Sequence, residues 1–283
     1  MIFVPCLEIL ASVCHLQPDV SNLHEHACYL GFFGIPSDGM RKIIFELCAE
    51  TIEACLVASE GGARRIELCS DLSEGGLTPS HGLIRVAVER SSLPIHVLVR
   101  PRGGDFVYSA VEVDVMREDI LHINQLGAAG VVLGMLHPDG TIDIEGTREL
   151  VELARPMKVT FHRAFDATHS LLQALEDVIA AGADRVLTSG GQRDVVAGST
   201  SLAKLIIQAG NRIEVAVGGG LRLQNAASLV RLTGAAHFHG SLRRRVTTPR
   251  PAPGATGETI AAGACYVVDA DMVRNMIHRL ENA

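Results

Sequence analysis

Two short triplets, Glu46-Leu47-Cys48 and Glu67-Leu68-Cys69, each place a carboxylate and a thiol two residues apart. Alternate side chains of a strand share a face, so Glu46 goes with Cys48 and Glu67 with Cys69. The apolar residues between and before them, Phe45 and Leu47 or Ile66 and Leu68, take the opposite faces. Neighbouring strands lie about 4.8 Å apart, so Cys48 and Cys69 can meet if the two strands pair. Two thiolates suit a soft monovalent cation such as Cu(I). The plainer role of both residues is packing, since a free cysteine behaves as a small buried hydrophobe. Cys55, inside a helical stretch, has only that role.

Further residues with chemical capacity follow. Arg100-Pro101-Arg102-Gly103-Gly104-Asp105 sets two arginines on one face, a fork for carboxylate or phosphate. The alternative is a structural ion network of Arg100 and Arg102 with Glu46, Glu67 or Asp105. His162 shares parity with Thr160 and is a candidate general acid or base near neutral pH, with Glu46 and Glu67 as further proton-handling groups. Asp166 is placed to orient His162 or to cap the next helix. His237, His239 and Ser241 share one face. Gly218-Gly219-Gly220 and Gly240-Ser241 offer backbone amides to a phosphate.

The elements that must carry these residues announce themselves by repetition. Gly62-Ala63, Gly127-Ala128, Gly182-Ala183 and Gly234-Ala235 each precede a branched or aromatic run that ends in polar residues. Each Gly supplies a left-handed helix stop and each Ala a close pass of the chain. Four further strands, Ile43–Cys48, Ile95–Arg100, Val159–His162 and Ile213–Val217, fall between them. Eight strands alternating with helices predict a single closed (βα)8 barrel spanning 40–283, with its site at the strand ends.

Composition narrows the partners. A net charge of −7 argues against a nucleic-acid surface, and Arg243-Arg244-Arg245 reads as a solvated loop or an anion contact. No apolar run approaches the roughly 20 residues that cross a bilayer. Seven cysteines, an odd number in a large α/β chain, point to a reducing cytoplasm rather than a disulfide framework. Residues 1–39 carry neither Lys nor Arg and show no period, so they read as an extension, disordered or untranslated. His24, His26 and Cys28 within it are a minor metal candidate.

Taken together, the chain resembles the CutC family of copper-homeostasis proteins. The likeness rests on Phe45–Cys48, Ile66–Cys69, Glu74–Ser80, Arg100–Phe106, Thr160–Asp166, Val186–Gly190 and the segment around His239-Gly240-Ser241. It implies a barrel of the triosephosphate-isomerase type, a cytoplasmic homo-oligomer (dimer or tetramer), and Cu(I) at Cys48 and Cys69. It also brings Arg163, Asp166 and Ser189 among the ligand-binding candidates with Arg100, Arg102, Asp105, Gly219, Gly220, His239 and Ser241. The competing function is an enzyme acting by acid–base chemistry on a small anionic metabolite, phosphorylated or carboxylated. In that case Glu46, Glu67 and His162 handle protons. The Pro-rich stretch Pro249–Gly254 departs from the family pattern, and Asp269–Glu281 reads as a closing helix.

Overall fold

The computed structural model describes residues 42–246 and 265–283. The extension 1–39 and the Pro-rich stretch Pro249–Gly254 lie outside the described residues. Eight parallel strands form a closed barrel in chain order. They are β1 (Ile44–Ala49), β2 (Arg65–Leu68), β3 (Ile95–Leu98), β4 (Gly130–Leu133), β5 (Lys158–Phe161), β6 (Arg185–Thr188), β7 (Glu214–Gly218) and β8 (His237–Gly240). The barrel shuts where β8 pairs with β1, with Glu46 opposite His239.

Helices α1 (Ile52–Glu60), α2 (His81–Arg90), α3 (Ala110–Gln125), α4 (Ile144–Ala154), α5 (Leu171–Ala180), α6 (Ser199–Ala209) and α7 (Ala226–Thr233) follow successive strands. Local chemistry starts most of them. Thr51, Ser80, Ser109, Asp143 and Ser170 each accept a hydrogen bond from a first-turn amide. Ser109 and Glu112 complete a reciprocal capping box. The helix stops follow the repeated phrase: Gly62, Gly127, Gly182 and Gly234 all have positive φ, while Ala63, Ala128, Ala183 and Ala235 are buried. After β8 the chain forms β9 (Arg244–Val246), paired antiparallel with β10 (Cys265–Val267), and then α8 (Ala270–Glu281), capped by Asp269.

Strand parity divides the interior in two. Phe45, Leu47, Ile66, Leu68, Val97, Val131, Val159, Val186 and Phe238 are fully buried between sheet and helices. The opposite set fills the barrel and is rich in polar residues: Glu46, Glu67, His96, Thr160, His162, Arg185 and His239 are all buried. Gly130 makes room for this filling, since a Cβ there would stand 2.4 Å from the His96 ring. Among the described residues, no helix is long and apolar enough to cross a membrane.

Candidate functional site

At the centre of the barrel lies Glu46, wholly buried. Arg185 Nη1 reaches across from β6 to Glu46 Oε2 at 2.5 Å, and Arg65 Nε lies 2.7 Å from the same oxygen. His239 Nδ1 lies 2.7 Å from Oε1. Burial pushes the Glu46 carboxyl up, but Arg185, His239 and Arg65 overcome it and hold it well below the usual range. Glu46 is therefore held as an anion beneath the mouth.

Above it the two Glu-x-Cys triplets converge. Cys48 Sγ stands 3.6 Å from Cys69 Sγ and 3.6 Å from Glu67 Oε1. His239 Nε2 is 3.9 Å from Glu67 Oε1, and donor atoms of Cys48, Glu67 and His239 all lie within 4.8 Å of one another. Leu98 and Val132 pack around the thiols, and Gly76 passes over Cys69, 3.8 Å from its sulfur as judged from an added Cβ. The hydrogen bond with Cys69, burial and the nearby carboxylates raise the Cys48 thiol well above its ordinary value. Burial likewise raises Glu67. For His239 burial works downward, and Glu67 with Glu46 outweighs it, so the ring is raised.

A cavity of about 620 Å³ opens over this cluster at the C-terminal ends of the strands. Of the sequence candidates, Cys48, Glu67, Arg100, His162, Arg163, Gly219, Gly220, His239 and Ser241 line it, whereas Cys69 and Glu46 lie beneath. The expected arginine fork does not form. Strand β3 ends at Leu98, so alternation no longer governs Arg100 and Arg102. Arg102 turns away to bind Glu112 at 2.5 Å, Asp105 at 3.0 Å and the Val107 carbonyl at 2.7 Å. Asp105 is exposed and serves that turn. Arg102 and Asp105 thus form the ion network that the sequence offers as the alternative to a fork.

Asp166 and Ser189 also lie off the cavity. Asp166 neither orients His162 nor caps α5, which Ser170 caps. Its carboxylate instead accepts from Thr188 Oγ1, the Ser189 amide and hydroxyl, the Gly191 amide and Arg163 Nε. His162 departs from near-neutral titration: burial, then the charge of Arg100, lower it to about 3. Its Nδ1 accepts the Ala164 amide, so the neutral ring carries its proton on Nε2.

Sequence reasoning passed over Arg65 and Arg185, the counter-charges of Glu46. It also passed over Gly134, where a Cβ would stand 2.6 Å from His162 Nδ1. Gly134→Ala is accordingly expected to displace the His162 ring, read as a changed imidazole NMR signal with the fold retained.

Fold and site define a (βα)8 barrel whose C-terminal mouth carries a buried thiol pair, a carboxyl and an imidazole over an internal ion cluster. The CutC family model matches residues 43–244, and the chain belongs to that family. A CutC family protein of Chromobacterium violaceum is 49% identical over 205 residues, covering 72% of this chain and 83% of that protein. One of Xanthomonas campestris pv. campestris is 42% identical over 238 residues, covering 84% and 99%. The crystal structure of CutC from Streptococcus agalactiae superposes with a TM-score of 0.67 at 32% identity, covering 70% of this chain and 98% of that one.

Proposed function

We propose that this protein binds Cu(I) in a reducing cytoplasm as part of copper homeostasis, with Cys48 and Cys69 as its thiolate ligands. One observation carries the reading: the two sulfurs, from adjacent strands, stand 3.6 Å apart under the cavity. The donor chemistry fits the ion. Two sulfurs and the His239 imidazole are soft or borderline donors, the set a monovalent copper ion prefers. Glu67 is a harder donor and is better placed to take up a thiol proton, since binding requires the thiols to ionise. The family match and the naming of the Streptococcus agalactiae structure for copper homeostasis support the same ligand. The reading includes assembly into a dimer or tetramer, which sedimentation of the purified chain measures directly.

The test is titration against a competing Cu(I) chelator under reducing conditions. Cys48→Ser and Cys69→Ser should each weaken binding on the order of 100-fold, equivalent to about 2.7 kcal/mol. Cys55→Ser should leave it unchanged, because Cys55 is a buried packing residue on α1. Undiminished stoichiometry and affinity in the Cys48→Ser/Cys69→Ser double variant would remove the thiolate model.

A further inference from the structure

The wall of the cavity contributed by β3 and β5 has chemistry that copper does not use. Arg100 is 5% exposed and lines the cavity. Its Nη1 donates to the carbonyls of Glu74 and Gly76, at 2.7 and 2.9 Å, and its Nη2 to that of Gly104 at 2.8 Å. Its Nε is buried without a well-aligned acceptor, and the Tyr108 hydroxyl interacts with the same guanidinium. Among the described residues no carboxylate forms an ion pair with it, whereas Arg65, Arg102, Arg163, Arg185 and Arg243 all have one. Carbonyl dipoles fix the guanidinium in place without cancelling its charge, and a buried charge lacking a counter-ion is costly.

His162 is the second incomplete group. Its Nδ1 is taken by the Ala164 amide, and the proton-bearing Nε2 is buried without an acceptor. Phe106 joins the two residues, with the Arg100 guanidinium 5.0 Å and the His162 ring 4.9 Å from its centroid. Thus a fixed cation without a carboxylate partner and a neutral N–H donor without an acceptor sit together among the described residues. Across the mouth, the Arg163 guanidinium lies against Gly219, 3.2 Å from where a Cβ would stand. The lining carries four arginines and a single carboxyl, Glu67. Asp166 and Glu50 neutralise Arg163 and Arg243, while Arg100 has no carboxylate partner among the described residues, and a volume of about 620 Å³ admits a small metabolite.

We propose that this cavity binds a small metabolite bearing a carboxylate or phosphate group, its oxyanion held by Arg100 and His162 beside the Cys48–Cys69 pair. The site is independent of copper, because neither donor belongs to the thiol cluster. An oxyanion supplies the missing counter-charge and the missing acceptor at once. His162 donates without first having to protonate, so the contact persists through the neutral range.

The test is thermal shift and calorimetry with inorganic phosphate and, separately, malonate, with ionic strength held constant by KCl. Wild type should show a saturable rise in melting temperature with at least one of them. Response to phosphate alone assigns a phosphorylated ligand, and to malonate alone a carboxylated one. Arg100→Gln should abolish the response. Because Arg100 also ties down the Glu74–Gly76 turn, His162→Phe provides a second variant that keeps the ring against Phe106. That variant should weaken binding about tenfold, the loss of one hydrogen bond to a charged group. Arg102→Ala, off the cavity, should respond like wild type. The Cys48→Ser/Cys69→Ser variant should keep its anion response while losing Cu(I), which separates this result from the copper titration. No response beyond that of KCl, or wild-type affinity in folded Arg100→Gln and His162→Phe, overturns the proposal.

Discussion

Replacing Glu46 by Gln is expected to destabilise the barrel by about 3–5 kcal/mol, the usual cost of stranding one member of a buried ion pair. For a domain of this size that corresponds to a fall of roughly 10 °C in melting temperature. The cost arises at Arg185, which is fully enclosed and already has Nε and Nη2 without partners. Its Nη1 bond to Glu46 is what compensates its charge. Removing the cation should cost less, since Arg185→Met leaves Glu46 bound to Arg65 and His239. Urea unfolding of both variants checks the order, and a smaller loss in Glu46→Gln than in Arg185→Met contradicts the argument.

The pH dependence follows with a definite sign. The folded-state pKa of Glu46 is depressed, so the stability it contributes is present above the unfolded carboxyl value of about 4.3 and is lost as pH falls through the folded one. Wild type should therefore lose stability faster than Glu46→Gln below about pH 4.3. Parallel curves in that range would show that Glu46 is not held ionised.

The barrel could be read from the chain because each of its devices is local. The Gly-Ala phrase sets a left-handed turn and a buried small residue, and parity within a four- to six-residue strand sorts core from lumen. The two Glu-x-Cys triplets were legible for the same reason. The partners of Glu46 were not, because Arg185 is 139 residues away and meets it only once the barrel has closed. A signal did exist: Arg65, Gly130, Arg185 and His237 all stand three residues after the Gly of the repeated phrase. Each opens an even-numbered strand, as expected when alternate strands contribute to one layer of the barrel interior. Arg100 and Arg102 misled for the opposite reason. Parity was carried past the end of β3 at Leu98 into a turn, where successive side chains no longer alternate.

Asp166 shows how a residue with plausible local roles can act at a distance, and its removal should have the second large effect. Its two oxygens gather the ends of two strands: Arg163 from the turn after β5, and Thr188, Ser189 and Gly191 from the end of β6 and its loop. The side chain is only 9% exposed, so these donors have little water to replace it. Asp166→Ala should cost on the order of 3 kcal/mol, as for loss of a buried charged hydrogen-bond network. Asp166→Asn keeps the shape but turns one acceptor into a donor. Both oxygens face N–H groups, so it too should be destabilised. The damage should be local. Hydrogen exchange at the Ser189 and Gly191 amides should accelerate about 10- to 100-fold in Asp166→Ala, beyond the change in the β1 and β2 amides. Arg163 loses its carboxylate and stands freer against Gly219, while the oxyanion binding proposed at Arg100 and His162, across the mouth, should persist. The Cu(I) binding proposed at Cys48 and Cys69, on β1 and just past β2, should persist as well. Unchanged exchange at Ser189 and Gly191 would mean that the β6 loop is held by its packing alone, with Asp166 a bystander.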